Sequence, residues 1–333
     1  SDDYKNHKTG SHPENQKRLD TIVNSLKNEG IWDKIDILTP QAASEKDLLR
    51  VHTESHVKYI KSLCEGGGGY VDYDTFASPQ SYETAKIAAG GAIKAADLAL
   101  NQDINAYSIA RPPGHHATRD RAMGFCLFNN LAISLEYLRN IYKIKKFLIV
   151  DFDVHYGNGT ASIFYEDPDV LYISIHQDPR TIFPGSGFVE EIGAGKGEGY
   201  NLNIPMAPRS TTDDYIYMLE KILGPAASKF SADFYFLDVG FDGHVNDPLS
   251  SLALTDDFYE YIINKMRSIT KSMALILEGG YNLDVLSRCN IKMINALNNI
   301  NSKDYYKHKL NVRDVNQNTF NQIKDIFSPF FEF

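Results

Sequence analysis

Four short apolar runs in this chain each end in a cluster of polar residues. Ala106 to Ala110 leads into Arg111-Pro-Pro-Gly-His115-His116, and Phe147 to Val150 into Asp151-Phe-Asp153-Val-His155. Phe234 to Leu237 leads into Asp238-Val-Gly-Phe-Asp242-Gly-His244, and Ala274 to Leu277 into Glu278-Gly-Gly-Tyr281. Short apolar runs bounded in this way read as buried strands. A fifth run, Leu171 to Ile175, brings Ser174 and His176 to the same kind of end. Apolar residues at helical spacing fill Pro13 to Glu29, Ser81 to Leu100, Asn129 to Ile141, Thr212 to Lys229 and Asp256 to Lys271. Strands alternating with helices predict an α/β fold with one doubly wound, mainly parallel sheet and helices on both faces. Ligand sites in such sheets lie beyond the carboxyl ends of the strands. The four polar clusters are therefore expected to meet at one edge.

No Pro/Ser linker, fixed-period repeat or charge shift marks a boundary, so residues 1–333 read as a single domain. Gly66 to Gly69 predicts a flexible surface loop. The tail from Asn299 is rich in Asn and Lys but ends in Phe327, Phe330, Phe331 and Phe333. It is expected to dock on the body.

Composition narrows the class. The 333 residues are 43% hydrophobic and 23% charged, as in globular enzymes with a sizeable core. A net charge of −9 argues against nucleic acid or an anionic membrane as partner, since both attract basic surfaces. No apolar run approaches the roughly 20 residues of a membrane helix, and the polar start lacks a signal-peptide core. Cys64, Cys126 and Cys289 are odd in number and widely spaced, which reads as reduced thiols. A cytoplasmic or nucleocytoplasmic location is the expectation.

Asp151, Asp153 and His155 alternate, so they leave the strand end on one face. An Asp after a strand, taken singly, is more often a cap or a hydrogen-bond partner. Several acids buried together without a cation would be costly. With Asp242, the pair Asp153 and His155 offers three protein ligands and an open position, the arrangement of catalytic zinc. Oxygen and nitrogen ligands without sulfur also suit Fe2+, Co2+ or Mn2+; zinc is the leading expectation. His115 and His116 supply imidazoles able to take and return a proton near neutral pH. Tyr281 follows two glycines that permit a sharp turn, and its phenol is a candidate donor to a developing oxyanion. On its own it would read as one core tyrosine among twenty.

These residues carry a resemblance. Arg111-Pro-Pro-Gly-His-His-Ala, Gly124-Phe-Cys-Leu-Phe-Asn-Asn, Asp151-Phe-Asp-Val-His-Tyr-Gly-Asn-Gly-Thr, Phe183-Pro-Gly-Ser-Gly, Gly240-Phe-Asp-Gly-His and Glu278-Gly-Gly-Tyr stand in the order seen in the zinc-dependent histone deacetylase superfamily. That superfamily includes acetylpolyamine amidohydrolases and acetoin-utilisation proteins, and the match runs from about Tyr4 to about Asn298. The resemblance implies an arginase-like fold and removal of acetyl or other acyl groups from lysine. It implies Asp153, His155 and Asp242 as zinc ligands and His115 and His116 as the catalytic pair. Asp151 would orient His115, Asn158 would partner His116, and Tyr281 would be the catalytic tyrosine. Phe125 and Phe183 match the walls of an acyl-lysine tunnel narrowed by Gly124, with Leu249 and Gly280 also facing substrate. Asp151, Asp153, His155, Ser174 and Ile175 match a structural monovalent cation site, usually potassium. A second such site would lie near Phe164, Asp167, Val170 and Tyr200.

Departures from the family pattern also inform. Gln16 stands where a proline is common and Tyr156 where a second histidine is common, while Asn158 matches the branches that have Asn rather than Asp. Polyamine-selective branches often carry an acid after the Asp-Pro pair, whereas Leu249 follows Asp247-Pro248 here. An apolar residue there favours acyl-lysine over acetylpolyamines, unless Asp72, Asp74 or Glu83 supplies a rim acid. A ureohydrolase would need a further Asp at Gly157 for a second metal. The non-enzymatic alternative is a slow-turnover acyl-ligand binder or scaffold.

Overall fold

A six-stranded, wholly parallel sheet forms the centre of the protein in this computed structural model, which describes residues 1–298 and 309–333. A small antiparallel hairpin of β1 (Gly69–Tyr70) and β2 (Phe76–Ala77) stands apart from it. The sheet comprises β3 (Ala106–Ser108), β4 (Phe147–Asp151), β5 (Val170–Gln177), β6 (Asn201–Met206), β7 (Phe234–Val239) and β8 (Ala274–Leu277). Its order is β3-β8-β7-β4-β5-β6. From β4 the chain adds β5 and β6 on one side, then crosses back to place β7 on the other. The strand order therefore reverses between β4 and β7. That is the position at which open α/β sheets leave a crevice for ligands.

The helices are α1 (Lys17–Asn28), α2 (Glu45–Leu48), α3 (Glu54–Glu65), α4 (Ser81–Gln102), α5 (Asn130–Tyr142), α6 (Asn158–Phe164), α7 (Thr212–Phe230), α8 (Asp256–Ile269), α9 (Leu283–Leu297) and α10 (Asp314–Phe327). None of the described helices is long and apolar enough to cross a membrane. Leu148 and Val150 of β4 enter a core shared with α1, α7, α8 and α9, while Phe147 and Ile149 enter a second core shared with α3, α4 and α5. Burial on both faces explains why β4 is an unbroken apolar run rather than an alternating one. Local chemistry sets the helix starts. Asn129 caps α5, Thr211 and Asp214 form a capping box on α7, and Asn282 caps α9.

Three expectations shift. Pro13 to Gln16 lie outside α1, because the Asn15 side chain accepts from the Lys17 amide and ends the helix there. Strand β6 was not among the expected runs, since Asn201, Asn203 and Pro205 interrupt its apolar residues; as an edge strand it tolerates the proline. The four glycines do not form one loop: Gly66 caps α3 and Gly69 belongs to β1. Part of the expected tail docking falls on residues 299–308, outside the described residues. Beyond them α10 packs on β6 and α7, with Phe320, Ile323, Phe327 and Phe331 buried.

Candidate active site

Asp151 closes β4 in register with Ser174 on β5 and Asp238 on β7. Two and four residues further on, the chain carries Asp153 and His155, and Asp242 comes over from the end of β7. One atom from each of these last three lies within 4.8 Å of the others. His155 Nδ1 is 3.1 Å from Asp153 Oδ1 and 3.3 Å from Asp242 Oδ2. The rest of each carboxylate is tied down. Asp153 Oδ2 accepts from the Gly279 amide at 2.7 Å, and Asp242 Oδ1 from the Val154 amide at 3.1 Å. Asp242 Oδ2 is buried without a hydrogen-bond partner.

The chain leaves room for something small between these oxygens. A Cβ on Gly279 would lie 2.0 Å from Asp242 Oδ2 and 2.4 Å from Asp153 Oδ2, and one on Gly240 would lie 2.4 Å from the same Asp153 oxygen. Burial and the Asp153 charge push Asp242 up to about 6. Burial pulls His155 down, but its hydrogen bond to Asp153 and the nearby Asp242 carboxylate more than reverse this and hold it at about 9. Asp153 is raised by burial, yet His115 and His155 keep it below the usual carboxylate range. A divalent cation fits this donor set: it would satisfy an orphaned oxygen and three groups that otherwise contest protons.

The two imidazoles after β3 have different surroundings. Their backbone is anchored by Glu278, whose Oε2 accepts from the Gly114 and His115 amides at 2.6 and 3.0 Å. His115 Nδ1 meets Asp151 Oδ2 at 3.1 Å, and Tyr172 donates to the same oxygen at 2.7 Å. His116 Nδ1 meets Asn158 Oδ1 at 2.7 Å. With Nδ1 occupied, each ring turns its Nε2 away from that partner, and His115 Nε2 lies 3.8 Å from Asp153 Oδ1. Burial lowers His115, but Asp153 and Asp151 outweigh it and raise the imidazole well above its ordinary value. Burial together with His115 and His155 holds His116 well below it. The two surroundings push the imidazoles in opposite directions, a division that sorts acid from base in many active sites.

Aromatic rings line the approach. Phe183, 45% exposed, packs edge-on to His116 at 5.0 Å, and Phe125 packs edge-on to Tyr281 at 5.8 Å. Gly124 is required between them: its φ is +55°, and a Cβ there would lie 2.4 Å from His116 Cδ2. The Phe125 amide donates to Thr75 Oγ1 at 3.0 Å, so the β1–β2 hairpin is fastened to this wall. Asp72 and Asp74 sit on that hairpin, whereas Glu83 lies on α4 and pairs with Lys86 at 3.0 Å. Leu249 is half-buried, and a cavity of about 340 Å³ beside Tyr281 is lined by Asn246, Pro248, Asn282, Leu283 and Asp284.

Several participants were not singled out by the sequence. Arg18 lies under the Tyr281 ring at 5.1 Å and donates to the Gly280 and Glu278 carbonyls at 2.7 and 2.5 Å. Glu14 binds Arg111 through both carboxylate oxygens, at 2.8 and 2.7 Å. Asp247 accepts from Leu249, Tyr281 and Asn282. Asp238 is buried with both oxygens unpartnered, and burial with the Glu278 and Asp151 charges pushes it well above the usual carboxylate range. The expected cation-site residues Asp151, Ser174 and Ile175 lie on neighbouring strands, with Ser174 Oγ 2.8 Å from His176 Nδ1. Phe164 ends α6, and the Asp167 amide donates to its carbonyl beside Val170 at the start of β5; Tyr200 accepts from the Tyr172 amide. A second group, His244, Asp256 and Cys289, also has ligand spacing. It is spent internally, because His244 Nε2 meets Asp256 at 3.0 Å and Arg288 clasps both oxygens of that carboxylate.

The geometry agrees with what the chain is similar to. The family described as histone deacetylase domain matches residues 12–297. A probable deacetylase of Methanothermobacter thermautotrophicus is 41% identical over 333 residues, covering 100% of this chain and 98% of that one. A histone deacetylase-like amidohydrolase of Pseudomonas aeruginosa is 36% identical over 296 residues, covering 87% of this chain and 77% of that one. The crystal structure of the HDA15 HD domain superposes with a TM-score of 0.93 at 32% identity, covering 99% of this chain and 95% of that one. With nearly its whole length matched and its strand ends built this way, the chain belongs to the histone deacetylase family of hydrolases.

Proposed function

We propose that the protein is a metal-dependent amidohydrolase that removes acetyl or another acyl group from lysine side chains. The observation that carries this reading is the three-residue cluster of Asp153, His155 and Asp242 facing two differently tuned histidines at the end of an aromatic-walled approach. A divalent cation, zinc first among the candidates, held by those three residues would supply Lewis-acid polarisation and an activated water at neutral pH. Phe125 and Phe183 enclose the alkyl chain and exclude water. Neutral His116, steadied by Asn158, takes a proton from the attacking water and returns it to the leaving amine. Charged His115, held by Asp151, stabilises negative charge near the reacting carbon. The Tyr281 phenol, kept protonated by burial, donates to the carbonyl oxygen as charge develops there. A monovalent cation beside β4 and β5, held by Asp151, Asp153, His155, Ser174 and Ile175, would brace the metal-bearing loop.

A binuclear ureohydrolase site is disfavoured by Gly157. A Cβ there would lie 2.3 Å from the Tyr172 hydroxyl and 2.4 Å from Asp151 Oδ2, so a second carboxylate has no space. A slow acyl-ligand binder would keep the aromatic walls without needing two histidines tuned in opposite directions. Carboxylate release from acetyl-lysine and longer acyl-lysine peptides by zinc-loaded protein tests the reading, and no release from any of them above the buffer blank would overturn it.

Leu249 decides between peptide and polyamine. Its apolar side chain offers a distal ammonium no compensating charge, so kcat/KM for acetyl-lysine peptides should exceed that for N-acetylputrescine. Leu249→Glu should move the ratio about tenfold towards the polyamine, the scale of one added ion pair in a partly wet mouth. An unmoved ratio would shift the specificity to Asp72 and Asp74 on the hairpin.

A further inference from the structure

Asp247 is 5% exposed, yet its carboxylate touches two loops at once. Oδ2 accepts from the Tyr281 amide at 2.7 Å and from the Asn282 amide at 3.0 Å. Oδ1 accepts from the Leu249 amide at 3.0 Å. The loop that carries Asp247 is itself anchored: His244 is held by Asp256, and the Asn282 side chain donates to the Asn246 carbonyl at 2.8 Å. Tyr281 follows Gly280, whose φ of +114° favours glycine, and its own amide is held by this carboxylate while Arg18 holds the Gly280 carbonyl and Asn282 caps α9. A single acid therefore fixes the peptide that bears the phenol and the peptide that bears the rim leucine.

We propose that Asp247 is a positioning residue for Tyr281 and links the placement of the phenol to the rim loop carrying Leu249. This rests on the deacetylase reading above, in which the phenol acts on the transition state. Misplacing a donor by about an ångström can cost up to about a hundredfold in rate. Asp247→Asn keeps one oxygen to accept from Tyr281 but puts an amide donor against a backbone amide; Asp247→Ala removes every acceptor. Falls in kcat of about tenfold for Asn and about a hundredfold for Ala are expected, with bound metal unchanged.

Non-additivity separates positioning from general loosening. In a Tyr281→Phe background, where no phenol is left to misplace, Asp247→Asn should lower kcat no further. Hydrogen exchange provides a readout apart from activity: in Asp247→Ala, the segments holding Leu249 and Tyr281 to Asn282 should lose protection together, while β4 and β7 keep theirs. Additive losses in the double variant, or protection lost throughout the sheet, would overturn the inference and leave the deacetylase reading standing. Wild-type protein with zinc bound and no turnover would instead sink that reading, and the hydrogen-exchange result would still decide whether Asp247 joins the two loops.

Discussion

Asp242→Ala is expected to lose metal and turnover together, the latter by roughly a thousandfold or more, the scale set by several kcal/mol of lost charge stabilisation. Asp242 supplies the one oxygen of the cluster that is buried without a hydrogen-bond partner, while its other oxygen holds the Val154 amide. Asp242→Asn makes the informative companion. It can preserve the bond to Val154 and hence the loop, but it gives up the charge, so it should fold like the wild type and still bind metal poorly. Metal content by mass spectrometry, read beside thermal stability, checks both. Stoichiometric metal with normal turnover in Asp242→Ala would remove this residue from the site.

Tyr281→Phe should reduce kcat about 10²- to 10³-fold with metal content unchanged, as for loss of one oxyanion donor elsewhere. The ring keeps its place against Phe125 and above Arg18 without the hydroxyl, so stability should be unaffected. In the proposed reaction the phenol acts on the transition state rather than on the bound substrate, so KM should change little. A fall in stability equal to the fall in rate would mark Tyr281 as structural instead.

Much of the site was legible because strand ends are legible. Apolar runs at β3, β4, β7 and β8 announce buried parallel strands, and whatever follows such strands must share one edge. Asp151, Asp153, His155, Asp242, His115, His116 and Tyr281 could thus be grouped from spacing alone. What spacing cannot supply is the second partner of each group. Glu278 stood at the end of its run, but its bonds to the amides of Gly114 and His115 depend on β3 and β8 being neighbours. Arg18 is a helical arginine that looks solvated in sequence; it is buried because α1 packs on α9 and brings it under Tyr281. In the sequence Asp247 is only the residue before Pro248, since its amide donors at Tyr281 and Asn282 come from a segment far away in sequence. Strand β6 was obscured by Asn201 and Asn203, whose amides reach the carbonyls of Phe188 and Glu191. Polar residues in a strand are unreadable as such until the loop that satisfies them is in place.

The central claim is that one divalent ion at Asp153, His155 and Asp242 makes this chain a deacetylase. Its most direct test is a zinc titration of chelator-stripped protein, with acetate release from an acetyl-lysine peptide and bound metal measured on each sample. Turnover should be absent without metal and rise in proportion to occupancy until one equivalent is bound. Full turnover in the stripped protein, or none at one bound equivalent, would contradict the account.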